Sequence, residues 1–137
     1  GWHWWEVTVQ EADDVTARGN ECWAVGVAKE SICRKGRFQL RPQGGIWAVG
    51  KNYGENVAFS MVLQPLSLQR QLRRLRVRLD CEAGKVEFLD VETEISLYTF
   101  WTGPFCGELL RPFFCLSREG VTLQCEEFPH PIKDIWD

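Results

Sequence analysis

Residues 74–88 read Arg-Leu-Arg-Val-Arg-Leu-Asp-Cys-Glu-Ala-Gly-Lys-Val-Glu-Phe, and this stretch decides the fold class. Leu75, Val77, Leu79 and Cys81 alternate with Arg74, Arg76, Arg78 and Asp80. A strand sends successive side chains to opposite faces, so this alternation predicts one face on a core and one in water. Glu82-Ala83-Gly84-Lys85 supplies a tight turn, and Val86 and Phe88 resume around Glu87. The stretch therefore predicts a β-hairpin.

Outward from this hairpin, further short β-runs are broken by turn residues. Strands are expected at Trp4–Val9, Cys22–Ala28, Ile46–Gly50, Ser96–Phe100, Pro112–Leu116 and Val121–Glu126. Turn signals lie at 17–20, 41–45, 52–55, 102–107 and 118–120. Helical signal is slight: one turn over Glu30–Lys35, stopped by Gly36, and a short candidate at Leu66–Leu72. Many short strands with little helix predict an all-β, antiparallel two-sheet β-sandwich. The pieces CWAVGV (22–27) and IWAVG (46–50) read as two strands with like packing demands. In each, Trp and Val share a face, and Gly26 or Gly50 lets a neighbouring backbone approach closely. Residues 1–126 are expected to form the sandwich. Residues 127–137, with Pro129 and Pro131, are expected to form a surface tail.

With 137 residues, 45% of them hydrophobic and 26% charged, the chain has ordinary globular composition for one domain. A net charge of −3 argues against general binding to nucleic acid or an acidic membrane. No apolar stretch is long enough to span a bilayer, and residues 1–7 lack the pattern of a signal peptide. The six cysteines include no C-x-x-C, and His3 and His130 lie near opposite ends, so no zinc pattern forms. Several cysteines fall in apolar runs, which predicts reduced, buried thiols and a cytoplasmic setting.

Several segments together resemble, in order, the signature segments of the SPRY half of PRYSPRY domains. They are GWHWWEV (1–7), CWAVGVAKESICRKG (22–36), GGIWAVG (44–50), LDCEAGKVEFLDV (79–91), FCGELLRPFF (105–114) and VTLQC (121–125). The resemblance is closest to tripartite-motif and butyrophilin-like members. It implies a bent, concanavalin-like jelly-roll sandwich whose loops recognise a protein or peptide, with no catalysis of its own and no cofactor. The parent would be a tripartite-motif ubiquitin ligase or a butyrophilin-like protein of innate immunity. The PRY segment that precedes this region in the family has no counterpart here. That implies an open sheet edge, covered by the missing segment or by a second chain. Cys81 and Leu89 stand where tyrosines are usual, and Ala24 stands where several members carry a polar residue.

Carried over by position, the resemblance implies a pocket bordered by Ala24, Gly50, Asn52, Tyr53, Asn56, Phe59 and Phe105, with Lys51 adding one positive charge. Tyr53 and Phe105 are expected to anchor a peptide, and Asn52 and Asn56 to hydrogen-bond it. The structural alternatives are that Tyr53 merely covers the domain and that Asn52 is a turn residue before Gly54. Trp4, Trp5, Trp23 and Trp47 are read as core. Arg70, Arg73, Arg74, Arg76 and Arg78 are read as a solvated outer face, because no aromatics are interleaved with them in the chain. RNA binding by that cluster is a competing function. So is carbohydrate binding on Tyr53 or Trp101. Catalysis lacks an activated nucleophile or an acid–base pair.

Overall fold

The computed structural model describes residues 2–11, 22–33, 40–68, 71–105, 107–116, 121–125 and 132–133. Strand β1 (Trp2–Glu11) runs beside β6 (Arg74–Asp80), with Trp5 opposite Val77 and Val7 opposite Leu75. β2 (Trp23–Lys29) leads into a single helical turn, α1 (Glu30–Cys33). β3 (Ile46–Asn52), β4 (Glu55–Phe59) and β5 (Leu63–Pro65) follow as a meander. β7 (Lys85–Asp90) and β8 (Ile95–Trp101) extend the sheet of β6. β9 (Leu109–Leu116), β10 (Val121–Cys125) and β11 (Ile132–Lys133) complete the described strands.

Two antiparallel sheets result, one of five strands in the order β10-β1-β6-β7-β8 and one of six in the order β11-β9-β2-β3-β4-β5. The expected all-β sandwich is thus the observed architecture. The period-two residues make the inter-sheet core. Val7, Leu75, Val77, Leu79, Val86 and Phe88 from one sheet meet Trp23, Val25, Val27, Val49 and Ala58 from the other. Each valine, leucine or phenylalanine among them, fully buried, stabilises by roughly 1.5–3 kcal/mol relative to exposure. Cys81 and Leu89 are buried, so both apolar replacements are accommodated.

The two similar pieces lie side by side. β2 and β3 pair antiparallel, with Gly26 opposite Ala48 and Ala24 opposite Gly50. A Cβ on Gly26 would stand 1.9 Å from the Trp47 carbonyl oxygen, and one on Gly50 would stand 1.9 Å from that of Trp23. Only glycine fits either place. Between them Trp23 and Trp47 point into the core, while Ala24, Ala28, Ile46, Ala48, Val57, Phe59 and Phe113 form a second apolar layer on the other side of the sheet. Ile32 of α1 and Leu40 pack against that layer. An Arg111–Glu30 ion pair ties α1 to β9.

Several expectations are corrected. Residues 66–68 and 71–73 are not helical; Leu66 instead donates its N–H to the Asn56 carbonyl, and Leu72 is buried in the core. β4, β5 and β11 are strands the sequence reading did not separate. β11 joins the tail to the sheet by pairing with Leu109 and Leu110. Trp4 is exposed, whereas Trp5, Trp23 and Trp47 are core. Gly36, Arg70 and Cys106 lie outside the described residues, as does the turn expected at 17–20.

Candidate functional site

The β3–β4 connection is the best-defined part of the expected site. Asn52 and Glu55 are paired, so only Tyr53 and Gly54 form the loop. Their φ values are 50° and 80°. Two left-handed residues in a two-residue loop make a type I′ turn, whose twist matches that of the flanking strands. The Tyr53 N–H donates to Cys22 Sγ at 3.3 Å, which fastens the turn beside the start of β2. The Tyr53 side chain is 64% exposed. Lys51 and Asn56 face each other across the strands, and both are half-buried, as is Asn52. The hairpin tip thus presents one aromatic ring with one ammonium and two amides nearby, on a backbone held by ladder hydrogen bonds.

The remaining expected residues do not join it. Ala24, Gly50 and Phe59 lie on the outer side of the six-stranded sheet, where Ala24 and Phe59 are sealed within the second apolar layer. Phe105 is 5% exposed and packs edge-on against Trp47, with ring centroids 5.2 Å apart. Phe105 thus lies in the inter-sheet core and away from the hairpin tip. Trp47 sits near the start of β3 and Tyr53 follows its end, so roughly 17–20 Å of strand separates the two aromatics. The reason is chemical. The inter-sheet space beside Trp47 needs an aromatic filler, and burying Phe105 there outweighs displaying it.

Two thiols lie close to the turn. Cys22 and Cys115 are half-buried, and Cys81 is buried. Burial pushes the Cys115 thiol above its ordinary value, and the neighbouring Cys22 pushes it the same way. Cys115 therefore stays protonated and unreactive at neutral pH. Among the described residues, no group of three His, Cys, Asp or Glu side chains is placed to hold a metal. No helix among them is long and apolar enough to cross a membrane.

One juxtaposition of surface residues was missed. Trp2, Trp4 and Trp101 share the outer face of the five-stranded sheet with Arg74, Arg76 and Arg78. Aromatics are therefore interleaved with the arginines after all, but from neighbouring strands. The signal was present in β1: with Trp5, Val7 and Val9 alternating inward, Trp2 and Trp4 must point outward with Glu6.

Comparison with known proteins agrees with this architecture. The chain is 37% identical over 121 residues to human zinc finger protein RFP, which covers 88% of this chain and 22% of that protein. It is 37% identical over 121 residues to human butyrophilin subfamily 1 member A1, covering 88% of this chain and 21% of the relative. It is 37% identical over 129 residues to mouse tripartite motif-containing protein 10, covering 93% of this chain and 25% of that protein. The chain thus spans about a quarter or less of the length of these relatives. Among solved structures, the TRIM65 PSpry domain superposes with a TM-score of 0.66 at 26% identity, over 93% of this chain and 63% of that one. Stonustoxin superposes with a TM-score of 0.64 at 22% identity, over 92% of this chain and 20% of that one, a likeness of fold. Residues 2–128 match the SPRY domain, and the chain belongs to that family.

Proposed function

We propose that this domain is a protein-recognition module that grips a peptide or surface loop of a partner through the β3–β4 hairpin tip. One observation carries the reading. Tyr53 is a large, amphipathic side chain left 64% exposed on a turn held by strand pairing and by the hydrogen bond to Cys22. An aromatic ring held on a fixed backbone costs little entropy to bury against a partner, and Tyr is a favoured interface anchor. Lys51, Asn52 and Asn56 add a charge and amide groups beside it. The relation to tripartite-motif and butyrophilin proteins supports a parent in which this domain selects the target and other domains act on it. In a tripartite-motif parent that action would be ubiquitin transfer. Cysteines placed in apolar runs support an intracellular setting. In the same reading, a PRY segment or a second chain covers the apolar edge at Met61, Val62 and Leu63.

The test is Tyr53→Asn. Asn-Gly is the preferred pair for a type I′ turn, so the fold keeps or gains stability while the ring is lost. Quantitative affinity capture should then show a set of proteins held by the wild type and lost by the variant. Identical capture by both proteins refutes the hairpin site.

A further inference from the structure

The outer face of the five-stranded sheet carries a second, independent surface. Trp2 stands in register with Asp80, Asp80 with Lys85, and Lys85 with Trp101, giving one row across β1, β6, β7 and β8. In that row the Lys85 ammonium lies 5.7 Å from the Trp2 ring centroid and 5.1 Å from that of Trp101. Two indoles therefore frame one cation. Arg78 stacks over Trp2 at 4.5 Å and Arg76 over Trp4 at 5.6 Å. Trp2, Trp4 and Trp101 are 48%, 51% and 72% exposed, so much indole surface still faces water.

The charges on this face are not equivalent. Arg74 and Arg76 share the Glu6 carboxylate, and Arg76 also reaches Glu94. Arg78 pairs with Glu87. Asp80 accepts the Ala83 N–H. Among the described residues, no carboxylate lies within ion-pair distance of Lys85; Asp80 stands opposite it in the register, and the ammonium lies against the two π faces. A ring quadrupole attracts a cation without cancelling its formal charge, so Lys85 still draws an anion. A polyanion fits poorly, because its phosphates would meet Glu6, Glu87 and Glu94 as often as free cations. A neutral sugar makes no use of the lone ammonium. A protein segment uses both features, and Trp and Arg are the side chains that dominate protein interfaces.

We propose that Trp2, Lys85 and Trp101, flanked by Arg78 and Trp4, form a second interaction surface for a partner-protein segment that presents a carboxylate between apolar side chains. The carboxylate meets Lys85, and the apolar flanks cover the Trp2 and Trp101 rings. This surface lies on the other sheet from the Tyr53 hairpin and does not rest on that reading.

The probes are synthetic peptides with one Asp or Glu between Leu or Phe residues, each matched by a peptide with the amide in place of the acid. The domain is used as wild type, Lys85→Gln, Trp101→Ala and Tyr53→Asn, each checked for an unchanged melting transition. Trp101 is largely exposed, so its loss spares the core. The expected result is binding of acid peptides but not amide peptides, a loss of about tenfold or more for Lys85→Gln and for Trp101→Ala, and no change for Tyr53→Asn. Equal binding of acid and amide peptides overturns the proposal, as does indifference to Lys85→Gln. So does the absence of any acid-peptide binding at about 1 mM. Tighter capture of single-stranded RNA or of glycans, lost in Trp101→Ala, assigns the face to another ligand and also overturns it. A dimer that Trp101→Ala abolishes makes a second copy the occupant, with the same consequence.

Discussion

Single residues set the spacing of this sandwich more tightly than the apolar pattern alone. Gly26 and Gly50 allow β2 and β3 to approach so closely that any side chain at either position would overlap a carbonyl of the facing strand. Gly26→Ala is expected to destabilise by about 3 kcal/mol or to prevent folding, because the obstacle is backbone in a central strand pair and cannot step aside. Denaturant unfolding measures this directly, and a wild-type midpoint would contradict the observed approach. Cys115 is a residue-scale probe of a different kind. Its folded value is raised above that of an ordinary thiol, first by burial and then by Cys22. Below about pH 8 both folded and unfolded chains keep the proton, so this thiol contributes no pH dependence. As pH rises through 9, the unfolded chain ionises first and stability falls until the folded value is passed. Unfolding midpoints between about pH 7 and 10 should show that decline, and Cys115→Ala should flatten part of it.

At the scale of elements, the β1–β6 pair is held by a shared carboxylate as well as by its ladder. Glu6 lies opposite Arg76, receives that guanidinium at 2.7 and 2.9 Å, and accepts Arg74 at 2.6 Å. Glu6 is more buried than either arginine, so the pairs are partly shielded from salt. Glu6→Gln is expected to cost about 1–2 kcal/mol, and an Arg76/Glu6 double-mutant cycle should return a coupling near the upper end of surface ion pairs. Additive single-mutant losses would show that the two act separately. The same element shows what the sequence made legible. Alternation in residues 74–81 fixed which side chains of β6 enter the core, and the structure agrees at Leu75, Val77, Leu79 and Cys81. What alternation along one strand cannot reveal is which strand lies beside it. Trp2 and Trp4 join the arginines only because β1 pairs with β6 across more than sixty residues of chain. Phe105 illustrates the same limit in a loop. No periodicity constrains it, so its burial against Trp47 is decided by space left between sheets. β5 escaped notice because it is three residues long, too short for a period to declare itself. The Tyr53 turn was legible as a turn, and its exposure follows from the I′ geometry that Gly54 permits.

Among the described residues, apolar side chains are also exposed away from the aromatic face. Phe114 and Leu116 are exposed on β9, and Met61 and Val62 are exposed in the bend that leads to Leu63 of β5, the outer strand of its sheet among the described residues. An outer strand with apolar side chains invites pairing with another chain. Here Pro65 limits that pairing, since it has no N–H to donate and sits on the strand that would receive a neighbour. The protection ends before Leu63, so Met61–Leu63 remains the weak point. Val62→Lys should therefore reduce self-association of the isolated domain while leaving the melting temperature within about 1–2 °C, because the exposed valine stabilises little. Light scattering and thermal unfolding across a concentration series separate the two effects. A drop in melting temperature with unchanged scattering would mean that Val62 belongs to the core and that association runs through another face. The Trp101→Ala variant then distinguishes the faces, since Trp101 belongs to the five-stranded sheet and Val62 to the bend that enters the edge strand of the other. If scattering falls for Val62→Lys alone, the β5 edge is the adhesive surface, and the tryptophan face is free for a partner of different chemistry.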